Sequence, residues 1–424
     1  MLSFRSARVA RIISGSSRIS FLGHALFSRA ASSFSASASF LDPSWGLSEN
    51  ARSLHEVATS FAASAVEPHA LSWDQSSTFP VDALRAAAQL GFGSLWASEA
   101  SGGSALSRSD ALPVLEALAY ACPSFAAYLS IHGMVARMID LYGQPALKAR
   151  LGPLLATAEK FASYCLTEPG AGSDAASIST KAVKEGDEWV ISGQKMYISG
   201  GGASSVYVVM ARTGGAESPG AAGISAFVVE SGAPGLSFGA NEAKMGWRNQ
   251  PTASVFFDNV RVKESALLGT VGGGFKMAMQ ALDGGRLSIA ACSVGAAASA
   301  LDKAREYAVI RKTFGVPLAQ HQAVSFKIAD AAMDLFVARQ TIRRAAAALD
   351  AEEPGARALC ALAKAVATEK AIAIVDASLQ AHGGLGYLAS TGIEKLARDL
   401  RVHTILEGTS EMMRVILARE VLKR

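Results

Sequence analysis

Cysteine is scarce: Cys122, Cys165, Cys292 and Cys360 stand far apart in 424 residues, with no CxxC pair and no histidine at ligand spacing. That spacing suits a reducing compartment better than a disulfide framework or a zinc site. Long apolar runs are missing too. Half the residues are hydrophobic, yet no stretch of about 18 is uninterrupted, so no membrane span is expected. Neither lysine nor any acid occurs before Asp42. Residues 1–41 instead hold five arginines (Arg5, Arg8, Arg11, Arg18, Arg29) and twelve serines, interspersed with Leu2, Val9, Ile12, Ile13 and Leu26. This is the composition of a mitochondrial transit peptide, with a plastid transit peptide or a disordered cytosolic tail as alternatives. Without this leader 35 basic residues face 36 acidic ones. The basicity therefore belongs to targeting, and no nucleic-acid partner is expected.

The remaining length has room for two or three domains. Residues 42–160 read as helical, with helices predicted at 49–64, 81–89, 111–121, 124–141 and 145–158, and with Pro80, Pro113 and Pro145 at helix starts. Within them 127–134 mixes polar and apolar residues on a buried helix, as a pocket wall or as ordinary core; His132 reads as a core or interface histidine. Near Phe161 the pattern turns to alternation, with strands predicted at 188–192, 205–212, 224–229 and 253–262. Turn signals separate them at 184–187, at Thr213-Gly214-Gly215 and at 232–235. Residues 161–270 thus read as a small, mainly antiparallel β domain. Helices return over 271–424, at 275–311, 322–351, 354–381, 392–404 and 411–423. The class is α+β.

Glu407-Gly408 falls in the break between the last two helices. Gly408 permits the turn and Ser410 is placed to cap the next helix, so Glu407 is held in position without being enclosed, as a general base requires. An exposed helix-end acid is the bland alternative. Elsewhere, two glycines beside hydroxyls in 164–174 bare backbone N–H groups to a polar ligand, although no GxGxxG opens a helix. Arg311 lies at a helix C-terminus, where a cation complements the dipole and is able to hold a phosphate. Gly383-Gly384 reads as a helix stop that also permits close ligand approach.

In their order and spacing, these motifs resemble the acyl-CoA dehydrogenase family over residues 42–424, nearest to its branch acting on short branched acyl-CoAs. The resemblance implies an N-terminal helical domain, a middle β domain and a C-terminal four-helix domain, in a homotetramer with one FAD per subunit. It assigns FAD to Tyr164, Cys165, Leu166, Thr167, Glu168, Pro169, Gly170, Ala171, Gly172 and Ser173, and to Tyr197, Ile198 and Ser199. From a neighbouring subunit it adds Arg311, His321, Gln322, Gln380, Ala381, His382, Gly383 and Gly384. Thr409, Ser410 and Glu411 match further FAD positions. Ser173, Asp283, Gly284, Gly285, Arg286 and Arg419 match acyl-CoA contacts, and Glu407 matches the catalytic base. Some members carry their base just before the arginine matched by Arg286. Here that position is Gly285, which removes no proton. Asp283 in place of an amide, Leu385 in place of an aromatic, and Thr409-Ser410 in place of Ser-Asn depart from the branch.

The reaction so implied is α,β-dehydrogenation of an acyl-CoA thioester. Glu407 takes the α-proton, a hydride leaves the β-carbon for FAD, and burial beside ligand and flavin raises the glutamate's pKa. Isobutyryl-CoA, oxidised to methacrylyl-CoA in valine catabolism, is the first expected substrate, with 2-methylbutyryl-CoA or a straight short-chain acyl-CoA as alternatives. Gly133 offers pocket width and Tyr128, Leu129 or Met134 a block, for whichever of them face the cavity. The mitochondrial matrix and its electron-transfer flavoprotein are the expected location and electron acceptor. An acyl-CoA oxidase and a non-catalytic assembly factor on the same scaffold are the rivals from other classes.

Overall fold

The computed structural model describes residues 39–214 and 220–423. The leader before Ser39 and the turn residue Gly215 lie outside the described residues. The described residues 39–45 belong to a unit of their own, with a short helical turn at Ser39–Leu41. From Gly46 the chain forms the second unit.

The first helices are α1 (Glu49–Phe61), α2 (Ala70–Ser76), α3 (Val81–Gln89), α4 (Arg108–Ala121), α5 (Pro123–Tyr142) and α6 (Pro145–Ala156). Ser48 caps α1, accepting from Ala51 N at 3.1 Å, and Ser107 caps α4, accepting from Asp110 N at 3.0 Å. Each side chain satisfies one of the free N–H groups at a helix start. Pro113 is therefore inside α4 and not at its start. Serine capping begins the helix earlier than the proline signal does, and Pro113 contributes a carbonyl 3.0 Å from His55 Nδ1.

The middle of the chain folds into an eight-stranded sheet among the described residues. Its strands are β1 (Ala162–Cys165), β2 (Lys181–Glu185), β3 (Glu188–Ser199), β4 (Val206–Arg212), β5 (Ile224–Glu230), β6 (Leu236–Phe238), β7 (Thr252–Lys263) and β8 (Leu267–Leu268). They run in the order β6-β7-β3-β2-β4-β5-β8, with β1 parallel to β4. Alternation along β4 divides the core, as a two-residue period requires. Val206, Val208 and Met210 face the helices, packing with Leu147, Leu151 and Leu155 of α6. Tyr207, Val209 and Ala211 face the other way, with Trp189, Phe227 and Phe257. The strand predicted at 188–192 continues to Ser199 because register shifts at Ile191/Gly193 and Lys195/Ile198 absorb the break in pattern.

A short hairpin of β9 (Lys312–Thr313) and β10 (Val316–Pro317) interrupts the C-terminal helices. These are α7 (Gly274–Ile310), α8 (Gln322–Asp350), α9 (Ala356–Ala381), α10 (Ile393–Arg401) and α11 (Ser410–Val421). Alanines at α7 and α9 positions such as Ala290, Ala297, Ala361 and Ala367 are fully or almost fully buried. Small side chains let the long helices approach closely. Helices α7, α8 and α9 pack on one another, and α10 and α11 both pack on α9.

Candidate active site

Two consecutive left-handed residues precede α11: Glu407 at φ +56° and Gly408 at φ +90°. The glutamate conformation costs roughly 1–3 kcal/mol and persists only where its surroundings hold it. Arg286 Nε donates to the Glu407 carbonyl at 3.3 Å, and Lys364 Nζ donates to the Gly408 carbonyl at 2.7 Å. Thr409, not Ser410, caps α11, accepting from Met412 N at 3.2 Å. Both carry a hydroxyl, but Thr409 has the extended backbone a cap needs (φ −61°, ψ 162°), and Ser410 already begins the helix.

The turn directs the Glu407 side chain onto Gly285 of α7. Its Oε2 lies 2.5 Å from where a Cβ on Gly285 would stand, so any larger residue there displaces the carboxylate. The expectation of an unenclosed carboxylate is corrected: Oε2 is buried and has no hydrogen-bond partner. Burial pushes the Glu407 pKa up to about 7, against the pull of Arg286 and Lys364. Burial also brings Lys364 down to about 8, with Glu407 opposing. A carboxyl poised near neutrality, with one free lone-pair direction, is equipped to accept a proton.

Tyr164 brings the β domain to this turn. Its hydroxyl is buried without a partner, and Glu407 adds to the burial that raises its pKa. Beyond it, Leu166 to Ser173 form a loop closed by reciprocal backbone bonds between Glu168 and Ala171 at 3.0 and 3.1 Å. The Glu168 carboxylate turns into the fold, accepting from Lys195 Nζ at 2.7 Å, Ser179 N at 2.6 Å and Thr180 N at 3.0 Å. Cys165 is likewise buried among the strands, where burial pushes its thiol up to about 12. Among the loop residues, Gly170 and Gly172 face open space, with nothing within 4 Å of an added Cβ. Thr167 O accepts from Met196 N at 2.8 Å, bringing Tyr197, Ile198 and Ser199 alongside; Tyr197 is exposed at φ +59° and Ile198 is buried.

A second group gathers elsewhere. Arg311, Gln380, Ala381, His382, Gly383 and Gly384 line a cavity of about 740 Å³, shared with Tyr307 and Thr313. The Tyr307 and His382 rings stack at 4.6 Å, and His321 Nε2 lies 3.1 Å from Thr313 Oγ1, with Gln322 opening α8 next to it. Arg286 and Arg311 are about 37 Å apart along α7 at 1.5 Å per residue. One chain therefore does not bring this group to Glu407.

Asp283, Gly284, Gly285 and Arg286 share a turn of α7, and Arg286 Nη1 pairs with Asp283 Oδ1 at 2.6 Å. Arg357 adds a second cation to Asp283 at 3.3 Å. Glu411 is exposed on the first turn of α11, and Arg419 is exposed on its last. Two buried lysines escaped the reading of motifs. Lys364, the lone charge in Cys360–Ala367, and Lys195, the lone cation between Gln194 and Met196, each carry a detectable signal: a cation inside an otherwise apolar or strand pattern.

Similarity to known proteins agrees with this geometry. The models of the acyl-CoA dehydrogenase N-terminal, middle and C-terminal domains match residues 48–159, 163–260 and 272–422. Mitochondrial isobutyryl-CoA dehydrogenase of Bos taurus is 49% identical over 91% of this chain and 92% of its own, and that of Dictyostelium discoideum is 49% identical over 90% and 91%. Butyryl-CoA dehydrogenase from Megasphaera elsdenii superposes with a TM-score of 0.86 at 32% identity, covering 89% of this chain and all of that one. A helix break that holds a buried carboxylate against α7, the β domain beside it and matches to all three domain models leave one conclusion: the chain belongs to the acyl-CoA dehydrogenase family, a family of oxidoreductases.

Proposed function

We propose that this enzyme oxidises short branched acyl-CoA thioesters between the α- and β-carbons, isobutyryl-CoA to methacrylyl-CoA first, with Glu407 as the base. The carrying observation is the buried, unpartnered Glu407 Oε2 on a strained turn held by Arg286 and Lys364. Its pKa near 7 suits removal of a weakly acidic α-proton better than an ordinary carboxylate does. Two carbonyls tied to cations keep the turn rigid, so the carboxylate meets the proton with little reorganisation. The absence of a side chain at Gly285 leaves that carboxylate room.

The residues fit FAD. Tyr164 carries an orphaned buried hydroxyl, and Gly170, Gly172, Gly383 and Gly384 leave open space for a ligand to approach backbone. Tyr164 to Ser173 and Tyr197 to Ser199 would hold it beside Glu407, with Thr409, Ser410 and Glu411 at the start of α11. Bound there, FAD supplies the acceptor for the hydride that leaves the β-carbon. The Arg311 cavity, too far along α7 to serve the same chain's Glu407, would complete the site of an adjacent subunit, which supports a homotetramer. Ser173, Asp283 to Arg286 and Arg419 are proposed to contact acyl-CoA. Residues 42–160, 161–270 and 271–424 are proposed as the three domains behind a transit peptide at 1–41. The enzyme then works in the mitochondrial matrix and passes electrons to the electron-transfer flavoprotein.

Anaerobic bleaching of the flavin, followed by turnover with isobutyryl, 2-methylbutyryl, isovaleryl, butyryl, octanoyl and glutaryl thioesters, tests this reading. Isobutyryl-CoA should give the highest kcat/KM, with electrons passing to the flavoprotein acceptor and little peroxide formed. A best value for octanoyl or glutaryl removes the branched short-chain assignment. Rapid peroxide formation without stimulation by the acceptor favours an oxidase.

A further inference from the structure

The N-terminal helices place one cation beside the catalytic turn that the reaction described above does not use. Arg108 opens α4, and its backbone N donates to Asp350 Oδ1 at 2.7 Å, tying that helix start to the end of α8. Its side chain crosses the ring of Trp96, with Cζ 4.0 Å from the centroid. Its Nη2 fills the space that a Cβ on Gly284 would occupy. Gly284 and Gly285 are consecutive on α7: the first lends its open face to Arg108, the second to Glu407. Covalent and helix geometry then hold the guanidinium and the carboxylate no more than about 10 Å apart.

Trp96 also corrects the expected pocket wall. Its ring sits 3.2 Å from where a Cβ on Gly133 would stand, so the width expected from Gly133 is taken by indole. Tyr128 is engaged too, its hydroxyl 3.0 Å from Ser204 Oγ. The Arg108 guanidinium makes no hydrogen bond or close ion pair among the described residues, and its ring partner accepts no N–H bond in the plane. Burial lowers its pKa only to about 10, so it stays charged at neutral pH.

We propose that Arg108, seated on Trp96, determines specificity as the end wall of the acyl pocket, limiting the enzyme to acyl groups that stop short of the guanidinium. An apolar chain reaching that far packs against a buried charge and offers it no acceptor, which is strongly unfavourable. A short branched group spreads near Glu407 and stops before the guanidinium. This inference rests on the function proposed above, and its test is separable from it.

The test uses the Glu407→Gln holoenzyme, in which thioester binding is read without turnover. Calorimetric Kd values for isobutyryl-, valeryl-, hexanoyl- and glutaryl-CoA are compared with Arg108 present, in Arg108→Met, and in Arg108→Gln should the first variant not fold. The expected result is a hexanoyl-to-isobutyryl affinity ratio at least about tenfold higher in either neutral variant, within the range that pocket changes of this size produce. Arg108→Lys, which keeps the charge, should remain within about threefold of the parent ratio. An unchanged ratio in a folded, flavin-containing neutral variant overturns the proposal, since a purely structural role weakens all chain lengths alike. Tightest parent binding to glutaryl-CoA, lost in the neutral variants, also overturns it by making Arg108 a carboxylate receptor. Parent enzyme that oxidises none of these thioesters sinks the reaction instead, while the binding series still decides on Arg108.

Discussion

Glu168 and Glu407 both carry a buried carboxylate on a glycine-containing loop, and their environments are opposite. Glu168 accepts from a lysine, two backbone N–H groups and a hydroxyl. Burial alone would raise its pKa, but Lys195 and those hydrogen bonds outweigh burial and bring it down to about 2. Glu407 has its carbonyl held by Arg286 and that of the next residue by Lys364 while its Oε2 is left without a partner, and burial brings it up to about 7. A carboxylate whose oxygens are satisfied holds structure. One whose carbonyl is tied down and whose oxygen is left free has capacity for a proton.

The largest expected break in this comparison is in turnover. Glu407→Gln should retain fold and flavin yet lose about three orders of magnitude or more in kcat, the upper range for removing a general base. Steady-state kinetics within tenfold of the parent would sink the assignment. The counterpart is a loss of stability. Glu168→Ala strands the fully buried Lys195, so denaturant unfolding should show about 3–5 kcal/mol of destabilisation. Glu407→Gln, which removes an unfavourably buried charge, should not reproduce that loss.

Acid should separate the two in sequence. As the proposed base, Glu407 has to be the anion, so kcat/KM is expected to fall about tenfold per pH unit below about 7. Glu168 has a depressed folded pKa, so its stabilising contribution is complete above about 4.5 and disappears as pH falls toward about 2. Circular dichroism should therefore stay constant across the pH range where activity first declines, and coincident loss of both would contradict the contrast. The smallest effect is at Lys364. Lys364→Met removes a cation that favours ionised Glu407, so the acid limb of the rate profile should move to higher pH. Lys364→Arg should move it less, and an unmoved limb in Lys364→Met would make that lysine a backbone clamp only.

Local pattern accounts for much of the fold. Helix α3 occupies the span that its spacing predicts, and β4 and β5 lie within a residue of theirs, because alternating or helical apolar spacing is a property of neighbours in the chain. Strand β2 escaped detection for the same reason: of Lys181–Glu185 only Ala182 is buried, so no apolar alternation exists to read. The turn at Glu407-Gly408 was legible from its glycine and hydroxyls, but the choice of Thr409 over Ser410 as cap depends on backbone angles that both residue types accept.

The sequence by itself determined where helical segments give way to a β region and return, that a carboxylate stands before Gly408 in a helix break, and the family to which its motifs point. Only the tertiary structure decided which side chains surround that carboxylate. Gly285, Arg286 and Lys364 come from α7 and α9, far away in the chain, Arg108 from the start of α4 and Trp96 from the loop before it. Desolvation and Coulomb interaction depend on distance in space, so the shift that sets Glu407 apart from Glu168 has no local signature.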